Sequence, residues 1–125
     1  MLDSKNIESL KKKFDSTLSW GGFQCPDGYA YTAPVGLLKP NRWELYDMLG
    51  NVWEWVADCY HENYQGAPGD GSAWSDGEDA CASGLRVIRG GSWNFQPADL
   101  RSALRDWDFP DFRSLNLGFR LAQDL

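Results

Sequence analysis

The run LRVIRGGSW, residues 85–93, does most to limit what this chain can become. Its first half is rich in β-branched and long apolar side chains and reads as a strand. The strand runs straight into Gly90 and Gly91, a pair that allows a positive φ or a close crossing of backbones. A chain built on such a bend is expected to use short strands joined by structured loops. Thirteen glycines and seven tryptophans in 125 residues agree with that: glycines permit tight turns while indoles supply buried bulk.

Other segments fit the same picture. NVWEWVADCY, residues 51–60, alternates in the strand manner, with Val52, Glu54 and Val56 on one face and Trp53 and Trp55 on the other. LRSALR and LGFRLA, residues 100–105 and 117–122, read as two further short strands. Ile7, Leu10 and Phe14 are spaced for a surface helix over 4–14, with Ser4 as its cap and Lys11–Lys13 solvated at its C-terminal end. A second short helix is expected over Leu45–Leu49, ended by Gly50. Residues 61–84 form a long polar excursion, which in a compact domain is functional or well pinned. Neither a repeat nor an internal boundary is visible. The expected architecture is one α+β domain over 1–125, with short antiparallel strands, one or two helices and long structured loops.

Several function classes are disfavoured. A net charge of −6 argues against nucleic acid, whose phosphates require a basic face, and is compatible with a divalent cation. No apolar run approaches the ~20 residues of a membrane span, and no basic-then-apolar leader opens the chain. The three cysteines, Cys25, Cys59 and Cys81, allow reduced thiols or one bridge with one free thiol. His61 is the single histidine, which excludes a multi-histidine metal centre within the chain. Compartment and oligomeric state are not set by these features.

The blocks TAPVG, KPN and LYDMLGNVWEWVAD, followed by RVIRGGSW, LRSA and GFRLA, resemble the formylglycine-generating enzyme (sulfatase-modifying factor) family. The resemblance runs from about Asp27 to Leu121, with the blocks in the family's order. It implies a variant C-type-lectin-like fold, in a version shorter than the usual family domain. Trp53, Trp55 and Trp93 are then expected in the core, and Arg101, Arg105, Arg113 and Arg120 in structural ion pairs and carbonyl caps.

Catalytic members of that family use two copper-binding cysteines, a sound use of soft thiolates for Cu(I). The positions matching them here are Phe95 and Leu100, so no copper site and no catalysis are expected. The resemblance implies calcium at Asp47, the carbonyls of Gly50 and Val52, and Glu54, a hard oxygen set suited to that ion. A second site would use Asp27 and the Tyr29 carbonyl, with its remaining ligands outside the chain. Relatives with a comparable DCYH block and a later DC imply that Cys59 and Cys81 lie close together, either as a bridge that would pin the polar excursion or as two unpaired buried thiols.

The same framing of RGGSW and GFR is similar to the variable proteins of diversity-generating retroelements in bacteria, archaea and their viruses. There, adenine-specific mutagenesis rewrites asparagine codons of a C-terminal segment. The matching segment is 94–116. Within it Phe95, Leu104, Asp106, Asp108, Phe109, Phe112, Ser114 and Leu115 are each reachable from an asparagine codon through its adenines alone. Gln96 and Trp107 are not, and would come from the template. These ten residues are the expected ligand-binding surface, with at least two of Phe95, Phe109 and Phe112 exposed, and the expected ligand is a protein. The second reading is a formylglycine-generating-like oxidoreductase or an accessory subunit of one.

Overall fold

The computed structural model describes residues 27–75 and 81–122. Its longest strand is β1, Trp53–Cys59, whose two end residues are its buried ones. Trp53 retains 2% of its surface and Cys59 1%. Strand β2, Arg86–Arg89, runs antiparallel to it. Trp55 faces Ile88 and Cys59 faces Arg86, so four steps along β1 match two along β2, and β1 bulges between them. Such a bulge twists the strand and re-aims its side chains. Here it presents Asp58 to the polar excursion: the Trp74 amide donates to the Asp58 carboxylate at 2.7 Å, and the Cys59 amide donates to the Trp74 carbonyl at 2.8 Å.

Strand β2 also pairs antiparallel with β3, Asp106–Asp108, and β1 pairs on its other side with β4, Leu117–Gly118. The sheet order is β3-β2-β1-β4. The β1–β4 pair is parallel, unlike the antiparallel pairing expected from sequence. β4 can run this way because it returns through the long 94–116 segment instead of a hairpin. Around β1 and β2 the buried apolar side chains are Trp53, Cys59, Val87 and Ile88.

The paired glycines work as the sequence suggests. Gly90 and Gly91 have φ of 93° and 73°. A Cβ on Gly91 would collide with the Leu100 side chain and stand 3.0 Å from the Asp99 carbonyl. The missing side chain thus seats a 3-10 turn, Pro97–Leu100, directly on the bend.

Three local expectations change. Residues 45–49 form an irregular loop instead of a helix. Asn41 organises it, its side-chain oxygen accepting from the amides of Trp43 and Leu45, while Glu44 and Asp47 have positive φ that interrupts any helical run. The strand expected over 100–105 begins at Asp106, because Leu100 ends the 3-10 turn and 101–105 bends around Arg89. That guanidinium donates to the carbonyls of Leu104 and Ser102, which draws both away from a ladder. In 117–122 only Leu117–Gly118 is strand. The helix expected over 4–14 and Cys25 lie outside the described residues. The 3-10 turn is the helical element among the described residues.

Candidate binding face

Segment 94–116 leaves the glycine bend and returns to it. Its two ends are tied by a polar cluster at the bend. The Asn116 amide donates to the Asn94 side-chain oxygen at 3.0 Å and to the Ser92 hydroxyl at 3.2 Å. The Ser92 hydroxyl in turn donates to Asn94 at 2.7 Å, and Ser92 is fully buried. Ser114 also bonds the Asn116 side chain. The backbone of Asn116 accepts from Trp53 at 2.8 Å, which locks this closure to β1. Buried polar groups of this kind must be satisfied together, so the cluster fixes one conformation of the segment's neck. Sequence reading had not singled out Ser92, Asn94 or Asn116. Their signal was two asparagines bordering a turn-rich stretch.

Between those ends the side chains divide by exposure. Phe95 turns inward, its ring meeting Trp53 edge to face at 5.2 Å. Leu104 is half-buried, and Leu100 covers Gly91. Trp107, Phe109, Phe112 and Leu115 are exposed, with Leu115 at 91%. Two of the three phenylalanines therefore face outward. The Phe112 amide donates to the Phe109 carbonyl at 2.9 Å, folding Phe109–Phe112 into a tight turn. Arg113 caps the carbonyls of Pro110 and Phe112. Asp106 and Asp108 are half-buried and each accepts from the amide that follows it, at 2.9 and 2.8 Å. These carboxylates shape β3 more than they offer charge outward. Gln96 and Ser114 are exposed at the two edges.

The oxygen set assigned to calcium meets a different cation. Both carboxylate oxygens of Glu54 accept from Arg120, each at 2.6 Å. The same guanidinium donates to the carbonyls of Tyr46 and Asp47 at 2.9 and 3.1 Å. The hydrogen bond to Glu54 holds the guanidinium above its already high ordinary value. Asp47 gives a side-chain oxygen to the Gly36 amide at 2.7 Å, and the Gly50 amide donates to Gly90 at 2.8 Å. In this arrangement the Glu54 carboxylate is paired with Arg120 and the Asp47 carboxylate accepts from Gly36, so both acidic side chains of the expected set have partners within the chain. Asp27 accepts from the Tyr29 amide at 2.8 Å. Among the described residues no three acidic, histidine or cysteine side chains gather as a metal site.

Cys59 and Cys81 are joined, with Cα atoms 5.2 Å apart. The bridge and the Asp58–Trp74 contacts pin the polar excursion, and His61 stacks on Trp74 at 3.7 Å.

The family described as the sulfatase-modifying factor enzyme 1-like domain matches residues 4–125. The chain belongs to that family. Among its relatives, the formylglycine-generating enzyme of Streptomyces coelicolor is 38% identical over 101 residues, spanning 78% of this chain and 31% of the relative. Among solved structures, PvdO from Pseudomonas aeruginosa is 38% identical with a TM-score of 0.69, covering 95% of this chain and 50% of that one. Variable protein 1 of Treponema denticola is 25% identical with a TM-score of 0.58, covering 88% of this chain and 43% of that one. The chain thus spans about a third of the curated relative and half of the first structure. Its fold is the C-type-lectin-like α+β type, mostly strands and structured loops. No helix among the described residues is long and apolar enough to cross a membrane.

Proposed function

We propose that this chain is a non-catalytic binding protein that displays residues 95–115 to a protein partner, as a variable protein of a diversity-generating retroelement. The observation that carries this reading is the exposure of Trp107, Phe109, Phe112 and Leu115 on a segment whose ends are tied at Asn94 and Asn116. Exposed aromatics held on a rigid neck give large contact area while few rotors remain to be frozen. Exposed large apolar side chains gathered on one segment are expected of an interaction surface. Likeness to variable protein 1 of Treponema denticola supports the same reading.

The second reading, an oxidoreductase or its accessory subunit, is favoured by the 38% identity to a formylglycine-generating enzyme. Against it stand Phe95 and Leu100, which occupy the positions matching the copper-binding cysteines. One packs on Trp53 and the other on the glycine bend. Cys59 is buried and already bridged, so it does not supply the missing thiolate.

Sequencing the genomic locus tests the proposal. A nearby reverse transcriptase is expected, with a near-copy of the 94–116 coding segment that differs at adenines. Absence of both removes the retroelement reading. Copper-dependent oxidation of a cysteine-containing sulfatase peptide by the purified chain would overturn the non-catalytic one.

A further inference from the structure

A groove of about 290 Å³ lies beside this face, between the loop at 60–64 and the bend at 101–105. Arg105 forms part of its wall and is held from two sides. Its guanidinium lies 4.1 Å from the centroid of the Tyr64 ring and 5.8 Å from that of Tyr60, and donates to the His61 carbonyl at 3.0 Å. These contacts fix the charge in place without neutralising it. Arg101 lines the same groove and is exposed; its carbonyl accepts from the Leu104 amide at 3.0 Å, while its guanidinium has no hydrogen bond or ion pair among the described residues. Glu62 supplies the acid of the lining, and Asn63 a neutral amide.

Two guanidinium groups against one carboxylate leave a single excess positive charge, in a chain whose net charge is −6. An anion is drawn to such a point, and the planar fork of arginine matches a carboxylate with two bonds. A carboxylate carries the one negative charge that balances the groove. A phosphate dianion carries twice that, and Glu62 repels the surplus. The groove adjoins the exposed face: the Tyr60 ring stands 5.8 Å from Trp107, and the half-buried Leu104 of the same segment lines the groove.

We infer that the groove between Tyr64 and Arg101 is a subsite for a carboxylate of the partner, an acidic side chain or a chain terminus, whose apolar neighbours lie on Trp107. This deepens the binding reading and rests on it only for the identity of the partner; the subsite itself is measurable with small probes.

Titration of the isotopically labelled chain with N-acetyl-glutamate amide and, separately, with N-acetyl-alanine tests it by NMR. The first carries a side-chain carboxylate and the second a terminal one. Saturable shifts are expected at Asn63, Tyr64 and residues 101–105 with at least one probe, and the stronger identifies the source. N-acetyl-glutamine amide is expected to give none. Arg101→Gln is expected to weaken binding about tenfold, the scale of one hydrogen bond to a charged group. Glu62→Gln is expected to tighten it about threefold. The probes lack the apolar neighbour, so their binding reads the subsite alone, and its loss is told apart from loss of the larger face. No saturable shift with either carboxylate, equal response to inorganic phosphate, or an Arg101→Gln variant that binds as the parent does would each overturn the inference.

Discussion

Arg120 and Glu54, 66 residues apart in sequence, meet in a two-pronged ion pair with both contacts at 2.6 Å. The pair joins the end of the chain to β1, and two further bonds from Arg120 hold the carbonyls of the 46–47 loop. Its side chains retain 38% and 22% exposure, so solvent weakens it, yet its fork geometry and extra carbonyls set it above an ordinary surface pair. Replacing either residue by alanine is expected to cost about 1–2 kcal/mol in denaturant unfolding. The double variant should cost clearly less than the sum of the singles. Additive losses would show that the two side chains act independently.

The same pair bears on calcium. With Glu54 committed to Arg120, millimolar calcium and a chelator are expected to leave the thermal midpoint of the parent chain unchanged. Arg120→Ala frees the carboxylate beside Asp47, and calcium should then raise the midpoint of that variant. Stabilisation of the parent by calcium, abolished in Glu54→Gln, would show that the ion displaces the guanidinium.

The sheet was legible where residue type constrains backbone directly. Gly90 and Gly91 marked the bend because positive φ there admits little else. Trp53 and Val87 marked β1 and β2 through their apolar bulk. Two of the differences share a cause in side-chain bonds to backbone. Asn41 diverted residues 45–49 from the helix that their apolar spacing suggested, and Arg89 pulled 102–104 out of a strand. Phe95 and Phe109 have the same composition and opposite fates. Only the position of Trp53 decides that one is half-buried against an indole and the other displayed.

That difference predicts unequal costs among similar residues. Phe109→Ser, Phe112→Ser and Leu115→Ser should each shift stability by no more than about 0.5 kcal/mol, as surface changes do. Phe95→Ala should cost about 2–4 kcal/mol and Trp53→Ala about 3–5 kcal/mol, because both leave a cavity. Chemical denaturation of the five variants checks the ranking. A Phe109 or Phe112 variant as damaged as Phe95→Ala would place that ring in the core and remove it from the binding face.

The bridge from Cys59 to Cys81 spans 22 positions. Loop-closure entropy for that span predicts a loss of about 3 kcal/mol when it is opened. Cys81→Ser is the cleaner variant, because Cys59 is buried at the end of β1 and its replacement adds a packing defect. Proteolysis within 61–75 should accelerate in the variant while the β1–β2 amides keep their exchange protection. Unchanged stability after reduction would mean that Asp58 and Trp74 pin the excursion without the covalent link.

Asn116 offers the sharpest test of how the face is held. Its side-chain amide bonds Asn94 and Ser92, while its carbonyl separately serves Trp53. Asn116→Ala therefore keeps the backbone bond and removes three side-chain bonds, two donated to Ser92 and Asn94 and one accepted from Ser114, leaving the buried Ser92 and the half-buried Asn94 with fewer partners. The expected cost is about 1–3 kcal/mol, the penalty of an unsatisfied buried polar group. Asn116→Asp keeps the shape but sets a carboxylate against the Asn94 oxygen, and should be at least as costly. Faster hydrogen exchange is expected at Phe112 and Leu117, whose amides close the turns within the segment, with no change at Ile88. If exchange at Phe112 and stability both stay at parental values, the neck does not order the face, and its aromatics lose the rigidity that binding would draw on.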